Sequence, residues 1–268
     1  MVDLNKFTGN VTSQFGEDGI ISEIIRTIGK DMPKYCVEFG AWDGKHLSNT
    51  WDLVNRFGWG VCYIEANRKR YLDLKKSNDD NPRVTAINAY VSDNTILGTT
   101  LESLLRRAGA PYEIGLLSID IDGNDYNVWR DFDGFDVNVV VIEYNYTIPP
   151  FIEYVDEGGK AFMGSSALSL TKLARQKGYS LVACTIANCI FVKDSLFPLF
   201  ELQDNSVEAL MPSEGITFLA RNFAGEVVFS SKKIVEPMIK FIGYGKLRKW
   251  IKLLFKGKKT FRYLGEKY

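Results

Sequence analysis

The sequence predicts an α/β fold built on a mostly parallel sheet with helices on both faces. Three observations predict it. Short apolar runs alternate with helical patterns along the chain, the signature of a parallel sheet wound with helices. Runs such as Val-Asn-Val-Val-Val-Ile-Glu-Tyr, ending at Tyr144, are nearly continuous in apolar residues, as strands buried on both faces are. The last two strand-like runs are separated by about Ile186 and Ala187 alone, and a link that short forces antiparallel pairing.

In chain order, Gly19–Gly29 reads as a helix with an isoleucine face, and Tyr35–Phe39 as a short strand ending at a glycine. Asn49–Phe57 is helical, Val61–Glu65 a strand, Asn67–Ser77 a charged helix and Val84–Ala89 a strand. Leu101–Ala108 is a helix stopped by Gly109. Ile114–Ile121 and Val137–Tyr144 are strands flanking a helix at Asp125–Phe132. Ala167–Gln176 is a helix stopped by Gly178, and Ser180–Thr185 with Asn188–Val192 forms the closing pair. Neither an internal repeat nor a low-complexity linker interrupts the series. Residues 145–165 form an insertion rich in Pro, Gly and aromatic residues.

Composition restricts the function classes. The 268 residues are 46% hydrophobic and 25% charged, which excludes collagenous, low-complexity and disordered chains. Formal net charge is zero, yet residues 241–268 hold nine Lys/Arg and one Glu, leaving an acidic body and a basic tail. The first residues contain no apolar run, and no stretch approaches the ~18 apolar residues of a membrane span, so a cytoplasmic protein is expected. Cys36, Cys62, Cys184 and Cys189 lack paired-cysteine spacing and, with a single histidine in the chain, read as buried thiols rather than zinc ligands.

The first strand runs into Glu38-Phe39-Gly40-Ala41-Trp42-Asp43-Gly44, where two glycines four apart allow a tight turn and close backbone approach to a ligand. The pattern is neither a dinucleotide fingerprint nor a P-loop. Glu65 ends the second strand 21 residues after Gly44, where an acid can accept both hydroxyls of a ribose. In order and at this spacing, the signals suggest an adenosine-type ligand without a pyrophosphate.

Residues ~13–193 resemble the FkbM-type family of S-adenosylmethionine-dependent methyltransferases, most specifically through VEFGAWDGKHLSNT (37–50) and LLSIDIDGNDYNVW (116–129). Shorter matches are SQFGEDG (13–19), YIEAN (63–67), YVSDN (90–94), VVIEYN (140–145) and NCIFVK (188–193). The resemblance implies a class I methyltransferase fold, a doubly wound seven-stranded sheet with its last strand antiparallel. It also implies O-methylation of sugars or other small natural products. By position, Glu38, Gly40, Asp43 and Gly44 would surround the methionine part of the cofactor, Glu65 would hold the ribose and Ala89 would lie against the adenine. Gln14 and Asp18 would be further site contacts. Asp122 and Asp125 depart from the family, where many members have Glu, and the insertion and tail match nothing in it.

Asp120 and Asp122 end one strand, and Glu143 and Asn145 end the next; residues two apart in an extended segment point the same way. If these strands are neighbours, as the resemblance implies, three carboxylates and an amide oxygen converge, a donor set suited to Mg²⁺ or Mn²⁺. Such an ion would lower the pKa of an acceptor hydroxyl. The alternatives are that Asp122 only shapes a turn before Gly123, and that Asp120 contacts cofactor or substrate without metal. His46 follows the glycine turn and is either a general base or an ordinary exposed or structural histidine. Ser13, Glu17 and Asp18 are also suited to cap the first helix.

Tyr144 and Tyr146 open an aromatic cluster with Phe151, Tyr154 and Phe162. It reads either as a lid over a polar ring substrate, with the two tyrosines as substrate contacts, or as a satellite core. In the tail, Leu247, Trp250, Ile251, Leu254 and Phe255 fall on one helix face opposite Arg248, Lys249, Lys252 and Lys256. Residues 245–256 therefore suit either the surface of an anionic membrane, placing the protein at its inner face, or docking on this domain or a second subunit. Nucleic acid is not an expected partner, because the acidic body repels phosphates. The expected organisation is a catalytic domain at 1–200, an extension at 201–240 and the tail at 241–268. The expected activity is methylation of a hydroxyl on a sugar, glycan precursor or related small molecule; the rival is a non-catalytic binding protein on the same fold.

Overall fold

The computed structural model describes residues 3–93, 99–121, 123–156 and 164–212, and the backbone of 219–221, 227–229 and 261–263. Seven strands form the main sheet: β1 (Tyr35–Phe39), β2 (Gly60–Glu65), β3 (Val84–Asn88), β4 (Glu113–Ile119), β5 (Asp136–Glu143), β6 (Tyr179–Cys184) and β7 (Asn188–Lys193). Their order is β3-β2-β1-β4-β5-β7-β6. All are parallel except β7, which runs antiparallel to both β5 and β6. The sheet matches the expectation in strand number, in the direction of its last strand and in the tight closing hairpin.

Helices α1 (Glu17–Ile28), α2 (Trp51–Asn55), α3 (Arg68–Ser77), α4 (Leu101–Arg107), α5 (Asp125–Asp131), α6 (Ala167–Gln176) and α7 (Val207–Leu210) alternate with the strands. Ile20, Ile21 and Ile24 of α1, Leu53 and Val54 of α2 and Leu74 of α3 join one core with Cys36, Leu116, Val139, Val141 and Ile190. Side chains one residue along point to the opposite face, where Trp129 of α5 packs 5.2 Å from Phe191. Both faces are thus covered, as the apolar strands require.

Side chains fix several helix starts. Asn67 caps α3 through the amides of Lys69 and Arg70, Thr100 caps α4 and Ser166 caps α6. All four cysteines are free and buried.

The chain divides into two compact units, residues 1–145 with 150–211, and 146–149 with 212–268. The first continues past residue 200 because α7 buries Val207 against it. The second contains a small sheet in which β9 (Val227–Phe229) pairs antiparallel with β8 (Leu219–Arg221) and parallel with β10 (Phe261–Tyr263). Residues 245–256 and Phe162 lie outside the described residues.

Candidate functional site

Most of the residues foreseen for the site lie at or just beyond the carboxyl ends of the parallel strands. Register pairs Phe39 with Ile64 and Ile119, and Ile119 with Ile142, so the residues that follow β1, β4 and β5 leave the sheet side by side. Gly40 follows β1 at φ +79°, a left-handed conformation that favours glycine. A Cβ there would lie 1.7 Å from the Asp120 carbonyl oxygen, so this glycine lets the ends of β1 and β4 meet. At Gly44 a Cβ would lie 2.7 Å from Leu74 of α3. The space freed by both glycines is filled by protein, a different use from the close approach to a ligand foreseen for them.

Glu65 is buried at the end of β2, one carboxylate oxygen accepting from the Trp42 amide (2.8 Å) and the other from the Asn67 amide (2.6 Å). It therefore sets the position of the glycine turn, and each oxygen retains a second acceptor direction. Asp43, half-buried, accepts from the amides of Lys45 and His46 and shapes the end of the turn. His46 itself is exposed, its ring edge-on to Trp42 at 4.7 Å. Trp42 and Leu47, both exposed, have φ of 50° and 57°, outliers for bulky residues that cost about 1–3 kcal/mol each.

Glu38, one residue before the end of β1, is buried. Its carboxylate accepts from the hydroxyls of Ser48 (2.6 Å) and Thr50 (2.7 Å) and from the Asn49 amide (2.8 Å), bracing the loop after the turn. Burial pushes its pKa up to about 7 against the lowering effect of these donors, and the Asp120 charge adds to the rise. Asp120 is exposed just past β4, beside the start of the next loop. Asp125 closes that loop, accepting from the amides of Ile121 and Gly123 at 2.9 Å each; burial, then Asp120, raises its pKa to about 7.

Two expectations need correction or narrowing. Tyr144 is only 2% exposed and its hydroxyl donates to the Thr185 carbonyl, so it is a core residue of the β5–β7 region, not a substrate contact. Its position one residue past β5 still favours burial, because the segment stays paired there through Ala187. Among the described residues no three His, Cys, Asp or Glu side chains converge as metal ligands. Asp122 lies outside the described residues, so the set foreseen for it with Asp120, half-buried Glu143 and buried Asn145 is not described as a whole. Tyr146 is exposed and belongs to the second compact unit. Ala89 is half-buried just past β3, and Gln14 is exposed.

The segment before α1 contributes more than capping. One oxygen of buried Asp18 accepts from the amides of Val11, Thr12 and Ser13 and from the Ser13 hydroxyl, which accepts in turn from the Asp18 amide. Thr12 donates to the Ser48 carbonyl, and Glu17 accepts from Thr185 and Asn188 at the β6–β7 hairpin. The segment thus reaches from the loop after β1 to the far side of β5 along the carboxyl edge. The other Asp18 oxygen and the Asn188 amide oxygen are buried and have no hydrogen-bond donor among the described residues. A pair of acids opening a helix just after a serine was the sequence signal, but their distant partners carry no spacing pattern.

Glu65 thus keeps acceptor directions at this edge, which fits a ligand supplying hydroxyl donors, as the ribose of S-adenosylmethionine does. A cavity of about 410 Å³ lies elsewhere, at the amino edge, between Trp129, Phe135 and Tyr179. Its lysines are engaged, Lys193 with Asp136 and Lys177 with Asp133.

A scan of protein-family models and a search of curated proteins matched nothing. Among solved structures, the chain is similar to a putative caffeoyl-CoA O-methyltransferase from Staphylococcus aureus, with a TM-score of 0.46 and 14% identity over 71% of this chain and 87% of that one. It is similar to M. capricolum TrmK in complex with S-adenosyl-homocysteine, with a TM-score of 0.42 and 11% identity over 65% of this chain and 67% of that one. With the citrinin polyketide synthase CMeT domain it shares 13% identity at a TM-score of 0.40, covering 60% of this chain and only 46% of that chain. These are similarities of fold and carry no argument about substrate.

Proposed function

We propose that the chain is an S-adenosylmethionine-dependent O-methyltransferase acting on a hydroxyl of a sugar, glycan precursor or related small molecule. The observation that carries this reading is the meeting, at the carboxyl edge of the sheet, of the Gly40–Gly44 turn, the buried Glu65 carboxylate and exposed Asp120. Ligands of open parallel sheets bind at that edge. When bound, the cofactor supplies a methyl group on a sulfonium, a good leaving group for transfer to an acceptor oxygen. Glu65, held by two backbone amides, accepts the ribose hydroxyls through its remaining lone pairs. Asp120 orients the acceptor hydroxyl and takes its proton, and His46, reachable from solvent, is the second candidate base. No step here needs a metal ion.

Thermal unfolding of the whole chain with S-adenosylmethionine or S-adenosylhomocysteine, with and without Mg²⁺, tests the reading. Both nucleosides should raise the Tm. Asp120→Asn should keep that shift while slowing methyl transfer to acceptors in cell extract by about a hundredfold or more. Absence of any shift would leave the proposal without its cofactor. A shift with no methyl transfer to any acceptor would favour a binding protein on the same fold, and a Tm rise that needs Mg²⁺ would restore the metal.

A further inference from the structure

The closing hairpin carries a pair of groups that the proposed chemistry does not use. Cys184 of β6 and Cys189 of β7 stand directly opposite each other, their sulfurs 3.8 Å apart. The Thr185 amide donates to the Asn188 carbonyl at 2.8 Å, so that pair is hydrogen-bonded and the cysteine pair beside it is not. Partners of the second kind have Cα atoms about 4.5 Å apart, within the roughly 4.4–6.8 Å that a disulfide spans. Bond formation therefore needs side-chain rotation and no movement of the backbone. The other two cysteines show the contrast. Cys36 pairs with Val61 and Val37 with Cys62, so Cys36 and Cys62 point to opposite faces of the sheet.

Both thiols of the hairpin are buried, Cys184 at 1% exposure and Cys189 at 0%. Burial also holds the Cys189 thiol well above its ordinary pKa. Access comes through local opening. Strand β6 is an edge strand, and a register shift between Leu181 and Ala183 interrupts its ladder just before Cys184. The residues between the two cysteines matter elsewhere: Thr185 and Asn188 donate to Glu17 at 2.6 and 3.0 Å, and the Thr185 carbonyl accepts from Tyr144.

We propose that Cys184 and Cys189 are a reversible dithiol–disulfide pair, a redox-responsive clasp on the hairpin that anchors α1. The oxidant is a peroxide. The Cys184 thiolate, on the edge strand, attacks one peroxide oxygen, the O–O bond breaks, and the sulfur becomes a sulfenic acid after giving up two electrons. Cys189 then loses its proton and attacks that sulfur; the S–S bond forms and hydroxide leaves, taking the proton as water. With hydrogen peroxide, two thiols and one peroxide become one disulfide and two waters. A small thiol reverses the change by exchange. The clasp needs no cofactor and stands independently of the methyl-transfer reading.

Hydrogen peroxide treatment of the native full chain, followed by alkylation in denaturant and tryptic digestion, tests it. Residues 178–193 form one tryptic peptide that carries both cysteines. In the treated chain this peptide should be lighter by two hydrogen atoms and carry no alkyl label, while Cys36 and Cys62 take the label. Dithiothreitol should restore labelling of the peptide. C184A and C189A, which keep a small apolar side chain at each site, should each abolish the product. The oxidised wild type should unfold a few degrees above the reduced one, because the bond restrains the unfolded chain, and C184A should show no such rise. Full labelling of both hairpin cysteines after peroxide, or sulfinic acid as the main product, overturns the proposal. So does a disulfide that forms only in urea-unfolded chain, or a Tm that falls on oxidation.

Discussion

Glu38 and Asp125 brace the two loops that frame the carboxyl edge, and both hold a proton more tightly in the folded chain than an exposed carboxylate does. Burial raises Glu38 from 4.5 to about 7 and Asp125 from 3.8 to about 7. A raised carboxylate pKa means that the folded state binds more protons than the unfolded state between the two values. Stability should therefore fall as pH rises from about 5 to 7 and level off above that. Urea unfolding across this range should show the decline, with a shallower slope in Glu38→Gln; stability that rises over the same window would contradict the assignment. Gly40→Ala should be far harsher at any pH. It sets a Cβ 1.7 Å from the Asp120 carbonyl at a left-handed φ, and should cost about 3 kcal/mol or more in urea unfolding. The sequence showed that Gly40 and Glu65 matter but not how. A glycine after a strand predicts backbone freedom, whereas the neighbour that demands it, Asp120, is a contact between residues 80 positions apart. Tyr144 misled for a related reason: a strand end exposes its last side chains only if nothing packs over them, and the Thr185 carbonyl holds the Tyr144 hydroxyl inside.

Strands and helices were more legible, because period and punctuation are local. Tyr35–Phe39 and Ala167–Gln176 match the expected bounds, and the other elements of the main sheet differ only at their ends, where capping side chains such as Asn67 and Thr100 decide. The segment before α1 was not legible at this level. Its order comes from Asp18 gathering three successive amides and from Glu17 reaching Thr185 and Asn188. A double-mutant cycle with Glu17→Gln and Thr185→Val should give a coupling of about 1–3 kcal/mol in urea unfolding. A coupling near zero would mean that the Glu17–Thr185 hydrogen bond adds nothing to the contacts made by Asp18, Thr12 and Asn188.

On the scale of the whole molecule, the uneven charge of the sequence separates an acidic body from a basic tail. The described lysines and arginines are mostly spent on carboxylates or left in water, and no helix among the described residues is long and apolar enough to cross a membrane. The spacing of apolar and basic residues in 245–256, which lie outside the described residues, suits either an anionic membrane surface or docking on protein. Removing residues 241–268 should lower co-sedimentation with phosphatidylglycerol vesicles and leave the S-adenosylhomocysteine Tm shift intact. Unchanged sedimentation would point to protein docking. Glu17, finally, sets a timetable. Its buried carboxylate waits for donors 168 and 171 residues later in the chain. At ordinary rates of synthesis that interval is roughly ten to thirty seconds. Until β7 slides between β5 and β6, the nascent protein holds an acid with no donors from the hairpin and a sheet with an open slot. Competence to bind a ligand at this edge should therefore arrive late and all at once, when the hairpin that ends at Lys193 has been made.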